Sequence, residues 1–437
     1  MSSRPHSEPN PGTAGTHRSG RAASLAGQSG CRILAQQPAE VDFLIVGAGF
    51  SGLVLAERLS NELGASCLIV ERRNHLAGNA HDESDRHGVL IHTYGPHYFR
   101  TDKLEVVTYL NRFTGWRPAN YQILSWTNRR YWPFPINLNT YEQLIGRPAT
   151  ETEFQIYLNS VRVPIATPAN SEEVIISQVG WEFYNMFFKG YTRKQWRQEP
   201  AELDASVCAR VPIRTNRDDR YLRESFQAMP DAGYTRMCER LLAACRRTTV
   251  LFNADYRRVR QQVRFRKLIY TGAIDEYYDY CAGVLPYRSL RFEAEHFTAE
   301  QLTSQVALTG RTGFWQPAVQ VNYPNDHDFT RIVETKHITG QTCPGTTIVR
   351  EYPMDYRRGG EAYYPIPNAA ARQHYQVYAD RAAREPDVYF AGRLATYRYY
   401  NMDQTIAAAL ELATRIQSEW PVTASRQPAP ELHFAVA

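Results

Sequence analysis

At 437 residues, 43% hydrophobic and 22% charged, the chain is long enough to bury a large core and to divide into two or three structural units. A formal net charge of +5 without a dense Lys/Arg run argues against a nucleic-acid surface and favours a few arginines facing an anionic small molecule. The seven cysteines show neither CxxC nor Cys/His ligand spacing, which argues against a zinc site or a disulfide framework; no metal is expected.

Without an apolar run near the roughly 18 residues of a membrane span, and without a signal-peptide core, the reading is a cytoplasmic protein with reduced thiols. The 28 tyrosines suit both packing and a site that stacks a base and bonds phosphate.

Residues 1–40, rich in Ser, Gly, Pro, Arg and His, are expected to form a disordered leader. From Val41 the text changes: VDFLIV reads as a buried strand, GAGFSG as a tight turn, LVLAERLSNEL as a helix and SCLIVE as a second strand. In this GxGxxG, Gly47 permits the turn, Gly49 admits a pyrophosphate to the backbone, and Gly52 allows close helix packing. Glu71 closes the second strand, where its carboxylate can accept from ribose hydroxyls and disfavours a phosphorylated ribose.

That acid does not separate FAD from NAD. Gly78 and Asn79 follow it in ERRNHLAGNAHD, and Gly392 and Arg393 open a second strand-to-helix junction in AGRLATYRYYNMDQTI. Two glycine junctions suit a long flavin cofactor, so FAD is the economical reading; for Arg393 a surface ion pair is the alternative. Residues 140–206 read as helices, LIYTG, YRSLRFEAE and TTIVREYP as strands, and residues 421–437 as a polar tail.

The phrases ERRNHLAGNA, IHTYGPHYF, KGYTRKQW, IYTGAIDEYYDY, FTRIVETKH, AYYPIPN and AGRLATYRYYNM, in this order, resemble the bacterial UDP-galactopyranose mutase family from about Asp42 to Ser418. The resemblance implies an α/β fold: a Rossmann-like FAD-binding domain assembled from residues 41–118, 228–282 and 380–420, a helical domain at 140–206 with a mobile loop at about 202–214, and an antiparallel β-sheet domain at 119–139, 207–227 and 283–379. It implies an isomerase in which N5 of reduced FAD attacks the anomeric carbon of UDP-galactopyranose and displaces UDP; the opened sugar recloses as the furanose, and UDP recaptures it. NAD(P)H or another donor reduces the flavin. A UDP-linked sugar is the expected partner, and a homo-oligomer is left open.

By the same resemblance, Arg210 and Arg331 clamp the diphosphate, a role suited to permanently charged guanidinium forks, and His97 lies beside the flavin. Met402 and Asp403 join the cofactor-binding residues. Phe187, Tyr191 and Trp196 face the nucleotide; Tyr221, Tyr363, Tyr364 and Tyr399 are substrate-binding tyrosines; Asn137 and Asn322 are further substrate contacts. Two positions depart from the family: Arg100 replaces a common second histidine and Asn401 a common aspartate. They leave the sugar and nucleotide open. An FAD oxidoreductase of amines or polyenes and a lapsed nucleotide-sugar-binding flavoprotein are the competing readings.

Overall fold

A computed structural model describes residues 32–33, 39–119 and 121–421. Most of the expected leader, and the tail beyond residue 421, lie outside the described residues. Arg32–Ile33 is an exception to the expected disorder, because its backbone pairs in parallel with Thr249 and Val250 at a sheet edge.

That sheet has six parallel strands in the order Arg32–Ile33, Thr248–Leu251, Cys67–Val70, Glu40–Val46, Arg264–Tyr270 and Val388–Phe390. Its central strands read as nearly unbroken apolar runs because both faces are covered. Phe43, Leu44 and Ile45 are buried completely. The helices Phe50–Glu62 and Met402–Glu419 lie side by side over it, where Ala56, Ala409 and Ala413 are buried and allow close approach. Strands from opposite ends of the chain thus meet in one sheet.

The helical unit contains Leu138–Ile145, Glu151–Val161, Ser171–Phe183 and Lys189–Trp196. Thr150 and Glu153 form a capping box, and Asn170 caps the following helix, satisfying amides that have no intrahelical partner. Gly180 breaks its helix at φ 74°; a Cβ there would stand 2.4 Å from Val161 O. A π-helical turn, Tyr184–Phe188, follows and leads directly into Lys189–Trp196.

A seven-stranded sheet runs Tyr364–Pro365, Tyr287–Phe297, Thr346–Asp355, Arg331–Val333, Gln320–Asn322, Ile123–Thr127 and Arg130–Phe134. The expected antiparallel sheet is in fact mixed: Gln320–Asn322 pairs in parallel with Ile123–Thr127. Distant chain segments meet there, so no hairpin imposes the antiparallel direction.

Residues 207–227, also expected in this sheet, contribute no strand to it, only an isolated bridge between Gln122 and Arg220. They fold on themselves through local bonds of Arg214, Asp218 and Arg220. Phe226–Pro230 pairs instead with Phe99–Thr101 and Trp116–Pro118 in a three-stranded sheet. One apolar core runs from Phe43 through Phe99 and Phe134 to Phe183, tying the parallel sheet to the helical unit.

Candidate active site

The glycine turn follows the first central strand for three separable reasons. Gly47 has φ 100°, a region that L side chains avoid. At Gly52 a Cβ would lie 2.0 Å from Gly47 O, and at Gly78 it would lie 3.1 Å from Gly49 Cα. The turn, the helix and the ERRNHLAGNA loop therefore close on one another at van der Waals distance. Gly49 offers no side-chain cap to the helix Phe50–Glu62, whose first turn holds no acidic residue, so its amide end suits a phosphate.

The first cleft runs over this turn. Its walls include Gly47, Gly49, Glu71, Gly78, Asn79, Tyr363, Gly392, Arg393 and Met402. Glu71 accepts from the backbone N–H of Ala48 at 2.8 Å and of Arg73 at 2.9 Å, which fixes the carboxylate while leaving lone pairs for ribose hydroxyls. Arg73 holds Asn79 Oδ1 at 3.0 Å with two nitrogens and lies over the Tyr94 ring. Gly392 has φ 84°, and a Cβ would approach Ser51 Oγ to 2.8 Å. A cradle that side chains would fill, an anchored acid and an uncapped helix end fit the long dinucleotide FAD.

A second cleft opens between the helical unit and the seven-stranded sheet. It gathers Arg100, Phe187, Tyr191, Trp196, Arg210, Tyr221, Asn322, Arg331, Tyr364, Tyr399, Asn401 and Asp403. His97, Arg393 and Met402 line both clefts and so mark their junction.

Positive charge dominates the second cleft. Arg210 lies 5.0 Å over the Tyr399 ring, and Arg393 lies 5.6 Å over it. Although burial opposes the shift, Arg210, then Arg393 and Arg331, pull the Tyr399 phenol below its ordinary value. The phenol thereby reports a local potential made for anions. Arg331 donates to Glu351 Oε2 from Nε at 2.9 Å and Nη2 at 2.6 Å, which aims its remaining nitrogen toward Gln320 at 3.5 Å.

Arg393 is no surface ion pair: it donates to Tyr400 O and Tyr363 O, which pins the strand-to-helix junction. Trp196, Tyr364 and Tyr399 form an aromatic wall with centroids 5.3–6.3 Å apart. Trp196 also packs on Leu203 and Ile366. His97 carries its ring against Gly95 O at 2.9 Å. Burial, with His92, Arg393 and Arg331 adding to it, holds the imidazole down to about 3, so it is neutral at physiological pH.

A family model described as UDP-galactopyranose mutase (GLF) matches residues 186–399, and one described as an NAD(P)-binding Rossmann-like domain matches residues 45–113. The probable UDP-galactopyranose mutase of Klebsiella pneumoniae is 35% identical over 391 residues, covering 87% of this chain and 97% of that protein. The chain belongs to the UDP-galactopyranose mutase family. It therefore sits among isomerases. Another relative, the dTDP-fucopyranose mutase of Escherichia coli, is 32% identical, covering 85% of this chain and 97% of that one. A crystal structure of reduced UDP-galactopyranose mutase shares the fold, with TM-score 0.64 at 17% identity over 87% of this chain and 94% of that one.

Within this mutase-family site, four expected residues stand elsewhere or in a different role. Asp403, expected among the cofactor-binding residues, lines the second cleft and not the first. Asn137 is absent from both clefts: it is fully buried, caps Leu138–Ile145 and bonds Asp219 Oδ1 at 2.6 Å. Its amide is consumed by that structural work, which corrects the expectation of a substrate contact. Tyr363 lines the first cleft, not the second, because alternate residues of an extended segment face opposite ways. Arg100 reaches the second cleft but is paired with Glu224 at 3.2 Å.

Other residues of the site were not anticipated. Tyr121 donates to Gln320 Oε1 at 2.7 Å and Gln320 donates to Asn322 Oδ1 at 2.7 Å, a buried chain along the second cleft. Lys194 bonds four carbonyls, those of Tyr323, Asp326, His327 and Phe329, and so ties the helix bearing Tyr191 to the turn before Arg331. KGYTRKQW contains this lysine, but no local pattern announces a carbonyl ring 129 or more residues away.

Proposed function

We propose that this chain is an FAD-dependent nucleotide-sugar mutase that interconverts pyranose and furanose forms, with UDP-galactopyranose as the first substrate to test. The observation that carries this reading is the junction: an FAD-shaped cleft and an arginine-rich cleft share His97, Arg393 and Met402. When bound, reduced FAD supplies a nucleophilic N5 for the anomeric carbon.

The chain's own residues then have definable tasks. Arg210 and Arg331 hold the diphosphate as it leaves and keep it in place for return, which makes recapture effectively intramolecular. Tyr191, Tyr221, Tyr364 and Tyr399 present hydroxyls to phosphate oxygens, while Phe187 and Trp196 offer flat faces to the base. Neutral His97 donates from Nδ1 to Gly95 O, so its Nε2 carries no proton and faces the junction as an acceptor only. The segment at about 202–214, which carries Arg210, closes over bound substrate in this reading, and NAD(P)H or another donor reduces the flavin.

A second substrate is favoured by two positions. Arg100 with its partner Glu224 brings an ion pair to the cleft edge, and Asn401 places a neutral amide at the start of Met402–Glu419, where Gln404 bonds back to its N–H at 2.9 Å. With a dTDP-sugar mutase among the relatives, dTDP-linked and deoxy sugars belong in the same assay.

Dithionite-reduced protein, incubated without oxygen with a panel of UDP- and dTDP-linked pyranoses and furanoses, is expected to interconvert ring forms, followed chromatographically. The oxidised protein is expected to do nothing. Stoichiometric sugar oxidation with flavin reduction, or binding without turnover, would overturn the mutase reading.

A further inference from the structure

Among the buried polar atoms that find no partner in the described residues are Nε2 of His92 and Oε1 of Glu351. His92 ends the strand Leu90–His92 and Glu351 lies within Thr346–Asp355; the residues are only 2% and 1% exposed. Both line one small cavity, whose other walls include Phe292, Val333 and Val349. It leaves about 10 Å³ for the centre of a water-sized sphere, close to the room that one water molecule needs.

The two atoms are complementary. The His97 N–H donates to His92 Nδ1 at 2.9 Å, and burial holds the His92 imidazole down to about 4. A neutral ring that accepts at Nδ1 carries its proton on Nε2. Glu351 meanwhile uses Oε2 for Arg331 and retains Oε1 as an acceptor. His92 and Glu351 thus bring a donor and an acceptor, neither with a partner among the described residues, to the walls of one small space, and a buried polar atom left unmet is costly.

We propose that one buried water accepts from His92 Nε2–H and donates to Glu351 Oε1, closing a polar chain from His97 at the cleft junction to Arg331 in the anion cleft. His92 and Glu351 are then positioning residues: neither touches substrate or cofactor, and together they hold the flavin-side loop and one phosphate clamp in a single geometry. The Thr335 hydroxyl lines the same cavity and donates to Leu90 O at 2.6 Å, which leaves it a lone pair for the second water proton. The functional consequence rests on the mutase reading; the water does not.

A crystal structure of the FAD-loaded protein tests the water directly: an ordered molecule within hydrogen-bond distance of both atoms is expected. His92→Asn keeps an acceptor near the Nδ1 position for the His97 N–H and removes the Nε2 donor, whereas His92→Gln restores a donor amide near Nε2. In folded, FAD-loaded protein, His92→Asn is expected to weaken UDP and dTDP binding about five- to fiftyfold, raising KM more than it lowers kcat, with partial recovery in His92→Gln. A cavity without water density, or wild-type nucleotide affinity in His92→Asn, overturns the proposal. If neither nucleotide binds the wild-type protein, the mutase reading fails, and the density alone decides the relay.

Discussion

The two clefts are built by opposite means. The first is a backbone construction: Gly47, Gly49, Gly52 and Gly78 bring main chain against main chain, and one carboxylate, Glu71, is anchored by two main-chain amides. The second is a side-chain construction, in which Arg210, Arg331 and Arg393 arrive from three distant segments and meet around Tyr399. A backbone site is specified by what must be missing, namely a Cβ, while a side-chain site is specified by what several elements deliver to one point. The first therefore fails as a unit, and the second fails one function at a time.

The largest effect is expected from the backbone cleft. In Gly52→Ala the new Cβ would stand 2.0 Å from Gly47 O, a contact that only a shift of the helix or the turn relieves, at about 3 kcal/mol. The purified variant is expected to lack flavin absorbance and all mutase activity, with a lowered melting temperature. Normal FAD content in this variant would show that the turn yields more readily than its packing implies.

Next comes the side-chain cleft. Arg210→Ala removes one cation from the wall around Tyr399 and leaves the first cleft intact, since Arg210 does not line it. A flavin spectrum like that of the wild type is expected beside a loss in kcat/KM of about 10²–10³-fold, the scale for one donor to developing charge. Anaerobic turnover with the reduced enzyme measures it; unimpaired turnover would remove Arg210 from the clamp.

The same contrast explains what could be read from the sequence. GxGxxG between a strand and a helix is legible because its physics is local: Gly47 needs its φ of 100° and Gly52 its missing Cβ, whatever the rest of the chain does. Arg210 and Arg331 of the second cleft were reached only through resemblance, since nothing local in RVPIR or FTRIVE marks an arginine as a phosphate ligand rather than a partner in an ordinary ion pair. Glu351 and Gln320 were not reached at all. Each sits on a short strand segment of mixed polarity that reads as half exposed, and its burial comes from pairing and packing with distant segments.

Asn137 was misread for a related reason. Asn137 and Thr140 spell a capping pattern that the structure uses in full, but the substrate contact was carried over from the family resemblance, against the alternative that an isolated asparagine caps a turn. Residues 207–227 were placed in the sheet because strand pairing between remote segments leaves no trace in spacing; the chain there spends its polar groups locally.

The smallest effect concerns pH and separates the two clefts without a change of size or fold. His97, held down to about 3, stays neutral from pH 5 to 8, so no inflection in activity is expected from it there. Tyr399 behaves differently: Arg210, Arg393 and Arg331 lower its phenol against the opposing pull of burial, so it ionises at a lower pH than an ordinary tyrosine. A phenolate there neutralises part of the charge meant for the diphosphate and competes with it. KM for the nucleotide sugar is therefore expected to rise on the alkaline side, beginning below the ordinary tyrosine range near pH 10, while FAD retention stays constant. In Tyr399→Phe the early alkaline rise is expected to disappear, with only a severalfold increase in KM at neutral pH for the lost hydroxyl. An alkaline limb unchanged in Tyr399→Phe would assign that titration to another group and weaken the view of Tyr399 as the point where the three arginines act together.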